Sequence, residues 1–357
     1  MTTQGKARIL TGDTPTSRLH IGHWVGSLEN RVQLQENYDC YFLLANMHAF
    51  TTRAEKAAEI RRDTIEIVKD WLAAGIDPNR STLVLQTEVP AIAELSWFFA
   101  MLLPFNRVMR NPTLKTEIEL KDLGDKYSFG FPLYAVGQCA DILAFRAELV
   151  PVGEDQVAHI EMCREVARKF AWNYCGVSPD AEDADYEKLG SIFPIPKALV
   201  GRVGRLVGVD GKNKMSKSLG NAIFLSDTPK EIKKKLGQLY TGRQTMDEPG
   251  DTDNALFQYV RAFIKDEARI KELEDRYRRG DNIGDGHIKV EVAEAIEGLL
   301  GPMRERRAQF EGPSGDDMVV NILSEHAKRA NVVAEETLYL AKEKMHMQLA
   351  RRRLSFE

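Results

Sequence analysis

The chain has 357 residues, 43% of them hydrophobic and 29% charged, with 26 glycines and 14 prolines. This is enough for two domains with a sizeable core, and it excludes a disordered, collagen-like or disulfide-stapled miniature protein. Lys and Arg number 49 against 53 Asp and Glu, a formal net charge of -4, so any nucleic-acid contact must use a local basic patch rather than bulk charge.

Ala7 to Leu10 reads as a short strand entering the turn Thr11-Gly12-Asp13-Thr14-Pro15, and His20 to Gln35 reads as the helix that follows. Cys40 to Ala45 and Thr82 to Gln86 are further strand-like runs. Between them Ile60, Ile67, Val68, Trp71 and Leu72 recur at helical spacing up to Gly75. Glu148 to Val152 is another strand, and after the turn Gly153-Glu154-Asp155-Gln156 a helical pattern runs from Val157 to Phe170. This alternation predicts an α/β fold, a Rossmann-like parallel sheet flanked by helices. From about Asp227 strand signals fade, Thr228-Pro229 opens a helix, and helical periodicity continues to Arg353. The expected division is a catalytic α/β domain over 1–226 and an all-helical domain over 227–357. Near the join, Gly201, Gly204, Gly208, Gly211 and Gly220 cluster with Lys212, Lys214 and Lys217, the composition of a mobile basic loop over 211–221.

Cys40, Cys139, Cys163 and Cys175 form no C-x-x-C pair, which argues for reduced thiols and a cytoplasmic protein. Met1 to Gly12 has no apolar signal core. The apolar run Leu95 to Phe105 is too short for the roughly 30 Å of a bilayer, so no membrane association is expected.

Leu19-His20-Ile21-Gly22-His23 lies where the first strand gives way to a helix, and free N–H groups at such a place favour an anion. The two imidazoles share one helical face, and Gly22 lets another group approach the backbone. By itself H-x-x-H is also an ordinary polar helix start, and as a metal pair it lacks a third ligand nearby. Lys214-Met215-Ser216-Lys217-Ser218 places two ammonium groups where they can swing toward charge developing on a transferring phosphoryl group. Alone, a lysine-rich loop is usually a solvated one.

In this order and context, His20-Ile21-Gly22-His23 and the lysine loop resemble the paired HIGH and KMSKS signatures of the class I aminoacyl-tRNA synthetases. Cys139-Ala140-Asp141-Ile142-Leu143 and Val150-Pro151-Val152-Gly153-Glu154-Asp155-Gln156 with His159-Ile160-Glu161 narrow the resemblance to the bacterial tryptophanyl-tRNA synthetases. So do Met47-His48-Ala49, Gly75-Ile76-Asp77-Pro78 and Gln86-Thr87-Glu88-Val89-Pro90. The resemblance covers nearly the whole chain and is densest from Thr11 to Ser218. Tyrosyl-tRNA synthetases share both outer motifs but usually carry Gly-Gly-Ser-Asp-Gln where this chain has Gly153 to Gln156. Three positions depart from the common bacterial pattern: His20 to His23 replace Thr-Ile-Gly-Asn, Gln138 stands for methionine and Thr14 for glutamine. With Gly211-Lys212-Asn213 and Leu219-Gly220-Asn221-Ala222-Ile223, they resemble the divergent second bacterial type.

The resemblance implies a homodimer that uses ATP and Mg2+ to join L-tryptophan to tRNA(Trp). By position it assigns catalysis to His20, His23, Lys214 and Lys217. It assigns ATP binding to Gly12, Thr14, Gly22, Gly153, Asp155, Met215 and Ser216, with Lys115 on the insertion as a phosphate-binding lysine. Mg2+ would be held mainly by the ATP phosphates, with no protein metal site. Asp141 would accept the indole N–H, a contact that discriminates better than apolar shape. Tyr134 and Gln156 would hold the substrate amino group, and Leu10, His48, Gln138, Val150 and Val152 would wall the pocket. Leu95 to Phe105 fits a helix at the dimer interface or within one subunit's core. The helical domain would read the anticodon, with Lys342, Lys344 and Arg351 to Arg353 as basic groups. A tyrosyl-tRNA synthetase, a small-molecule nucleotidylyltransferase and a non-catalytic paralogue with a regulatory or RNA-binding role are the competing readings. A redox enzyme is disfavoured because no G-x-G-x-x-G follows the first strand.

Overall fold

The computed structural model describes residues 5–124, 126–153, 156–200, 206–217, 219–243, 245–352 and 354–355. Five parallel strands form its centre: β1 Arg8–Asp13, β2 Asp39–Leu44, β3 Thr82–Leu85, β4 Leu149–Val152 and β5 Lys197–Val200, in the spatial order β3-β2-β1-β4-β5. The helices in chain order are α1 Ile21–His23, α2 Glu29–Leu34, α3 Asn46–Arg53, α4 Ala57–Ala74, α5 Pro90–Leu102, α6 Phe105–Met109, α7 Pro112–Leu120 and α8 Gly130–Ala144. They continue with α9 Val157–Phe170, α10 Pro229–Gly237, α11 Ala255–Phe263, α12 Glu267–Arg279, α13 Asp285–Arg307 and α14 Gly312–Lys344.

The strands read as nearly continuous apolar runs because both faces of the sheet are covered. Alternate side chains go to opposite sides. Ile9, Cys40, Phe42 and Leu83 enter a first core with Trp71 of α4, Leu256 of α11 and Ile296 of α13. Leu10, Tyr41, Leu43 and Val84 enter a second core with Phe99 of α5, Leu143 of α8 and Cys163 of α9. Each such large apolar side chain contributes about 1.5–3 kcal/mol by leaving water. α14 belongs to both, placing Val319 and Leu323 in the first and Ala330, Ala334 and Leu338 in the second. It crosses at the sheet edge, where the Leu83 N–H donates to His326 Nδ1 at 2.8 Å and covers β3.

The chain runs from β1 outward through β2 to β3, then places β4 on the other flank of β1. The order therefore reverses between β1 and β4, and the crevice beyond their carboxyl ends draws side chains from both halves of the sheet.

Expected helices appear with their expected signals. α4 ends at Gly75, whose φ of 110° needs no Cβ there. At α10, Thr228 and Glu231 form a reciprocal capping box with Pro229 in the first turn. Three features differ. β1 runs on through Thr11, Gly12 and Asp13 instead of turning after Leu10. The helix expected over 20–35 is broken by a π-helical turn at Trp24–Leu28. β5 was not anticipated: it is a four-residue edge strand, half-exposed along its length, and it lacks any apolar alternation. Leu95 to Phe105 is not wholly buried; Leu95 and Phe99 face the second core, whereas Trp97, Met101 and Phe105 are 60%, 65% and 63% exposed. Among the described residues no helix is long and apolar enough to cross a membrane.

Candidate active site

Beneath the histidine motif lies a buried ion pair. Arg31 of α2 donates to both Asp13 oxygens at 2.7 and 3.1 Å and to the Gly12 carbonyl at 3.1 Å, and Trp71 Nε1 donates to Asp13 at 2.9 Å. Asp13 closes β1, so these bonds fix the floor of the crevice. Above it the His20 N–H donates to His23 Nδ1 at 3.1 Å, and the two rings stand 3.8 Å apart. His23 therefore carries its proton on Nε2. Burial, helped by the neighbouring His23 and Lys214, holds His20 down at about 3, and burial lowers His23 as well. Both rings are neutral near pH 7. They can therefore meet an anion as N–H donors rather than as positive charges.

The lysine loop meets this motif through the backbone. The Ile21 N–H donates to the Ile223 carbonyl at 2.9 Å and the Leu225 N–H to the Leu19 carbonyl at 3.0 Å, pairing the segment after the loop with the histidine segment. Buried Met215 completes the junction: a Cβ on Gly22 would stand 3.6 Å from the Met215 Cβ and 3.0 Å from the His20 ring. The loop is shaped by two residues. Asp210 accepts from the Lys212 and Asn213 N–H groups at 3.1 Å each and from the Asn213 and Asn221 amides at 2.9 Å each. Asn221 also accepts the Ser216 N–H at 2.7 Å and donates to the Lys214 carbonyl at 3.2 Å. Desolvation pushes the Asp210 carboxyl up, but these hydrogen bonds outweigh it and hold the group at about 2. A Cβ on Gly208 would collide with Asn221, so only glycine fits there. The Lys214 and Lys217 side chains remain exposed.

On the other side of the sheet, α8 carries Tyr134, Gln138 and Asp141 at helical spacing on one face. Asp141 is 1% exposed. Its Oδ1 accepts from Gln86 Nε2 at 2.8 Å, and its Oδ2 is 3.6 Å from His48 Nε2. Gln86 Oε1 accepts the Met47 and His48 N–H groups at 3.1 and 3.3 Å. Burial pushes Asp141 up to about 8 against the Gln86 hydrogen bond, and burial lowers His48 to about 4. The Tyr134 ring lies between His48 and His159, at 5.9 and 5.6 Å, and the His159 Nδ1 is 3.1 Å from the Asn111 amide. Burial and the Glu117 charge raise the Tyr134 hydroxyl. Leu10 and Val150 are buried in the second core, Val152 and Gln156 are half-buried at the end of β4 and the start of α9, and Gln138 is half-buried on α8.

The remaining expected residues are less closely tied. Gly12, Thr14 and Gly153 are exposed near the strand ends, and Lys115 is exposed on α7. Among the described residues no hydrogen bond or ion pair joins Thr14, Gly153 or the Lys115 side chain to either motif. Asp155 and Ser218 lie outside the described residues. Of the basic groups near the C-terminus, Lys342 pairs with Glu94 at 2.7 Å, Arg352 with Glu335 at 2.6 Å and Glu94 at 3.0 Å, and Arg351 with Glu336; Arg353 is outside the described residues. Sequence reasoning assigned no role to Gln86, Asn111, His159, Asp210 or Asn221. Gln86, His159 and Asn221 stood within runs that carried the family resemblance, while Asn111 and Asp210 had no local signal.

A doubly wound parallel sheet that brings the histidine motif and the lysine loop together at its switch point defines the class I aminoacyl-tRNA synthetase fold. The chain matches the family described as tRNA synthetases class I (W and Y) over residues 2–301. It is 41% identical over 340 residues to the tryptophan–tRNA ligase of Clostridium longisporum, covering 93% of this chain and 95% of that one. To the tryptophan–tRNA ligase of Streptococcus pneumoniae it is 42% identical over 342 residues, covering 93% and 96%. A crystal structure of tryptophanyl-tRNA synthetase from Campylobacter jejuni, complexed with ADP and tryptophan, superimposes with a TM-score of 0.79 at 31% identity, covering 95% of this chain and 99% of that one. The chain belongs to the class I tRNA synthetases of the tryptophan and tyrosine branch, and within it to the tryptophanyl-tRNA synthetases.

Proposed function

We propose that this chain activates L-tryptophan with ATP and transfers it to tRNA(Trp). The observation that carries the reading is a buried carboxyl group, Asp141, held by Gln86 at 2.8 Å with His48 at 3.6 Å and the Tyr134 ring against His48. An indole N–H brought to Asp141 meets an acceptor shielded from water, and the bond strengthens as the carboxyl ionises. Tyr134 and Gln156 receive the amino group, and Leu10, His48, Gln138, Val150 and Val152 enclose the ring.

The substrate carboxylate then attacks the α-phosphorus of ATP, forming the carboxyl–phosphoryl anhydride and releasing pyrophosphate. The 3'-terminal ribose hydroxyl of the tRNA attacks the activated carbonyl and releases AMP. No covalent enzyme intermediate is required, so the protein contributes alignment and electrostatics. His20 and His23 donate hydrogen bonds to the phosphates from one side, and Lys214 and Lys217 bring positive charge from the other as the loop closes. Gly12, Thr14, Gly22, Gly153, Asp155, Met215 and Ser216 surround the nucleotide, with Lys115 reaching the phosphates. Mg2+ fits as part of the nucleotide, because the motif side chains are imidazoles and ammonium groups rather than a carboxylate cage; bound to the phosphates, it offsets their charge.

In this reading residues 1–226 form the catalytic domain and residues 227–357 the anticodon-binding domain of a cytoplasmic homodimer. The exposed Trp97, Met101 and Phe105 support a second copy as the occupant of that face. The test is amino-acid-dependent ATP–pyrophosphate exchange with tryptophan and tyrosine in parallel, in the wild type and Asp141→Ala. Exchange with tryptophan alone, lowered roughly 10- to 150-fold in kcat/KM in the variant, is expected. A folded, ATP-binding protein with no exchange on either amino acid would overturn the reading in favour of a non-catalytic paralogue.

A further inference from the structure

We propose that Asp70 and Arg307 are positioning residues for the histidine motif, through which the end of α13 sets the geometry of the nucleotide site; this rests on the synthetase reading above. Leu19 immediately precedes His20, and its N–H donates to Asp70 Oδ2 at 2.8 Å. The other oxygen of that carboxylate accepts from Arg307 Nε, also at 2.8 Å. Asp70 lies on α4 and is 1% exposed; Arg307 closes α13 and is 4% exposed. Neither can exchange its partner for water. Arg307 directs its remaining donors to Glu66, at 2.6 Å, and to Glu311, so its guanidinium is fixed on three sides. A carboxylate held between two buried partners passes on displacement of either one.

A second hold lies one turn earlier on the same helix. Arg304 Nη1 donates to the Asp227 carbonyl at 3.0 Å. Asp227 closes the segment that leaves the lysine loop, two residues after Leu225 pairs with Leu19. The end of α13 thus grips both strands of the pairing that brings His20 beside the lysine loop. Arg306 lies between these holds yet donates to the Ala73 carbonyl at 2.6 Å, so it ties α13 to α4 without reaching either strand.

A purely structural ion pair would change stability and leave substrate discrimination alone. A positioning pair changes the nucleotide side selectively, since Asp141 and its pocket pack in the second core whereas α4 and α13 pack in the first. Three variants separate the two. Asp70→Ala with Arg307→Met leaves the Leu19 N–H without an acceptor, while Glu66 keeps Arg18 and Lys69 as partners and Glu311 is exposed to water. Asp70→Asn with Arg307→Met restores a neutral acceptor. Arg306→Met removes only the neighbouring tie. For each, KM for ATP and for tryptophan are measured in pyrophosphate exchange, ATP affinity is measured by displacement of a fluorescent ATP analogue, and the urea midpoint is recorded.

The first variant is expected to weaken ATP affinity and raise its KM by about 10-fold with tryptophan KM within about twofold, the second to return ATP to within about twofold of wild type, and Arg306→Met to leave ATP unchanged. Equal ATP affinities in the two double variants, an equal loss in Arg306→Met, or a parallel rise in both KM values would each overturn the proposal. If the alanine variant does not fold, Asp70→Asn alone decides. Its single carbonyl oxygen must serve both Leu19 and Arg307, so unchanged ATP affinity there refutes the link. Absence of exchange in the wild type would instead refute the synthetase reading, and ATP displacement would still report on the link.

Discussion

Gln86 donates to Asp141 over 2.8 Å while its carbonyl oxygen accepts from the backbone of Met47 and His48. One amide therefore holds both the buried carboxylate and the corner that carries His48. Replacing the acceptor removes a charge-assisted hydrogen bond of about 1.5–3 kcal/mol, so Asp141→Ala should lower kcat/KM for tryptophan by roughly 10- to 150-fold with ATP KM unchanged. Gln86→Ala leaves the acceptor in place but frees its orientation, and should cost about 10-fold on the same axis. Steady-state exchange kinetics check both, and an unchanged tryptophan KM in Asp141→Ala would contradict the assignment.

The pH dependence of that pocket has a defined sign. Burial raises Asp141 from 3.8 to about 8 in the ligand-free protein. A group raised on folding lends stability at low pH that is lost as pH climbs through the folded value. The wild type should lose stability relative to Asp141→Asn between about pH 4 and pH 8. Because the ionised acceptor binds an indole N–H better, tryptophan KM should fall from pH 7 to pH 9 in the wild type and stay flat in Asp141→Asn. Urea midpoints and KM profiles across that range test the two statements separately.

His326 behaves in the opposite way. Its Nδ1 accepts the Leu83 N–H at 2.8 Å, and burial, with help from Arg329, lowers it from 6.5 to about 4. A depressed histidine stabilises the fold above its unfolded value, and that stability is lost as pH falls through the folded one. His326→Leu strands a buried donor and should cost about 1–3 kcal/mol at pH 7. The gap to wild type should shrink between pH 6.5 and pH 4. A gap that stays constant in urea unfolding across this window would contradict the assignment.

The lysine loop depends on a scaffold that touches no substrate. Gly208→Ala drives a Cβ into Asn221, which holds Ser216 and Lys214 by their backbones. Displacement of the loop should lower kcat for adenylate formation by about 10- to 100-fold while tryptophan KM holds. Lys214→Ala and Lys217→Ala, which remove charge and leave the scaffold intact, should each lower kcat by about 100- to 1000-fold. Single-turnover adenylate formation compares the three; full activity in Gly208→Ala would show that the scaffold is dispensable.

Trp97 and Met101 on α5 and Phe105 at the start of α6 expose large apolar side chains at four-residue spacing. Trp97→Glu places a charge in that face without disturbing Leu95 or Phe99 in the core. Light scattering should report a dimer for the wild type and a monomer for the variant at the same concentration. A monomeric wild type would remove the face from consideration as a dimer interface.

Much of this protein is legible along the chain because its signals are local. The strand-like runs at Cys40 to Ala45 and Thr82 to Gln86, the Gly75 stop and the Thr228-Pro229 start each rest on neighbouring residues, and each appears within a residue or two of where it was expected. The two motifs are equally local: each is a short run whose residue types suit phosphate chemistry. Their joint occurrence, in this order and spacing, is what carries the resemblance to the family. By contrast β5 is too short and exposed to carry a pattern, and the π-helical turn at Trp24–Leu28 has no sequence period of its own.

The fold class and the two chemical motifs are legible along the chain, because hydrophobic periodicity, capping and motif spacing are properties of adjacent residues; Asp141 as the indole acceptor is what the family resemblance implies. What surrounds those groups depends on the folded arrangement of distant segments. His20 and His23 are neutral because packing removes water from them, Asp141 is held by a glutamine 55 positions earlier, and Leu19 is tied to an arginine on α13 through Asp70. Burial and long-range hydrogen bonding depend on which segments the fold places side by side, and no local pattern encodes that juxtaposition.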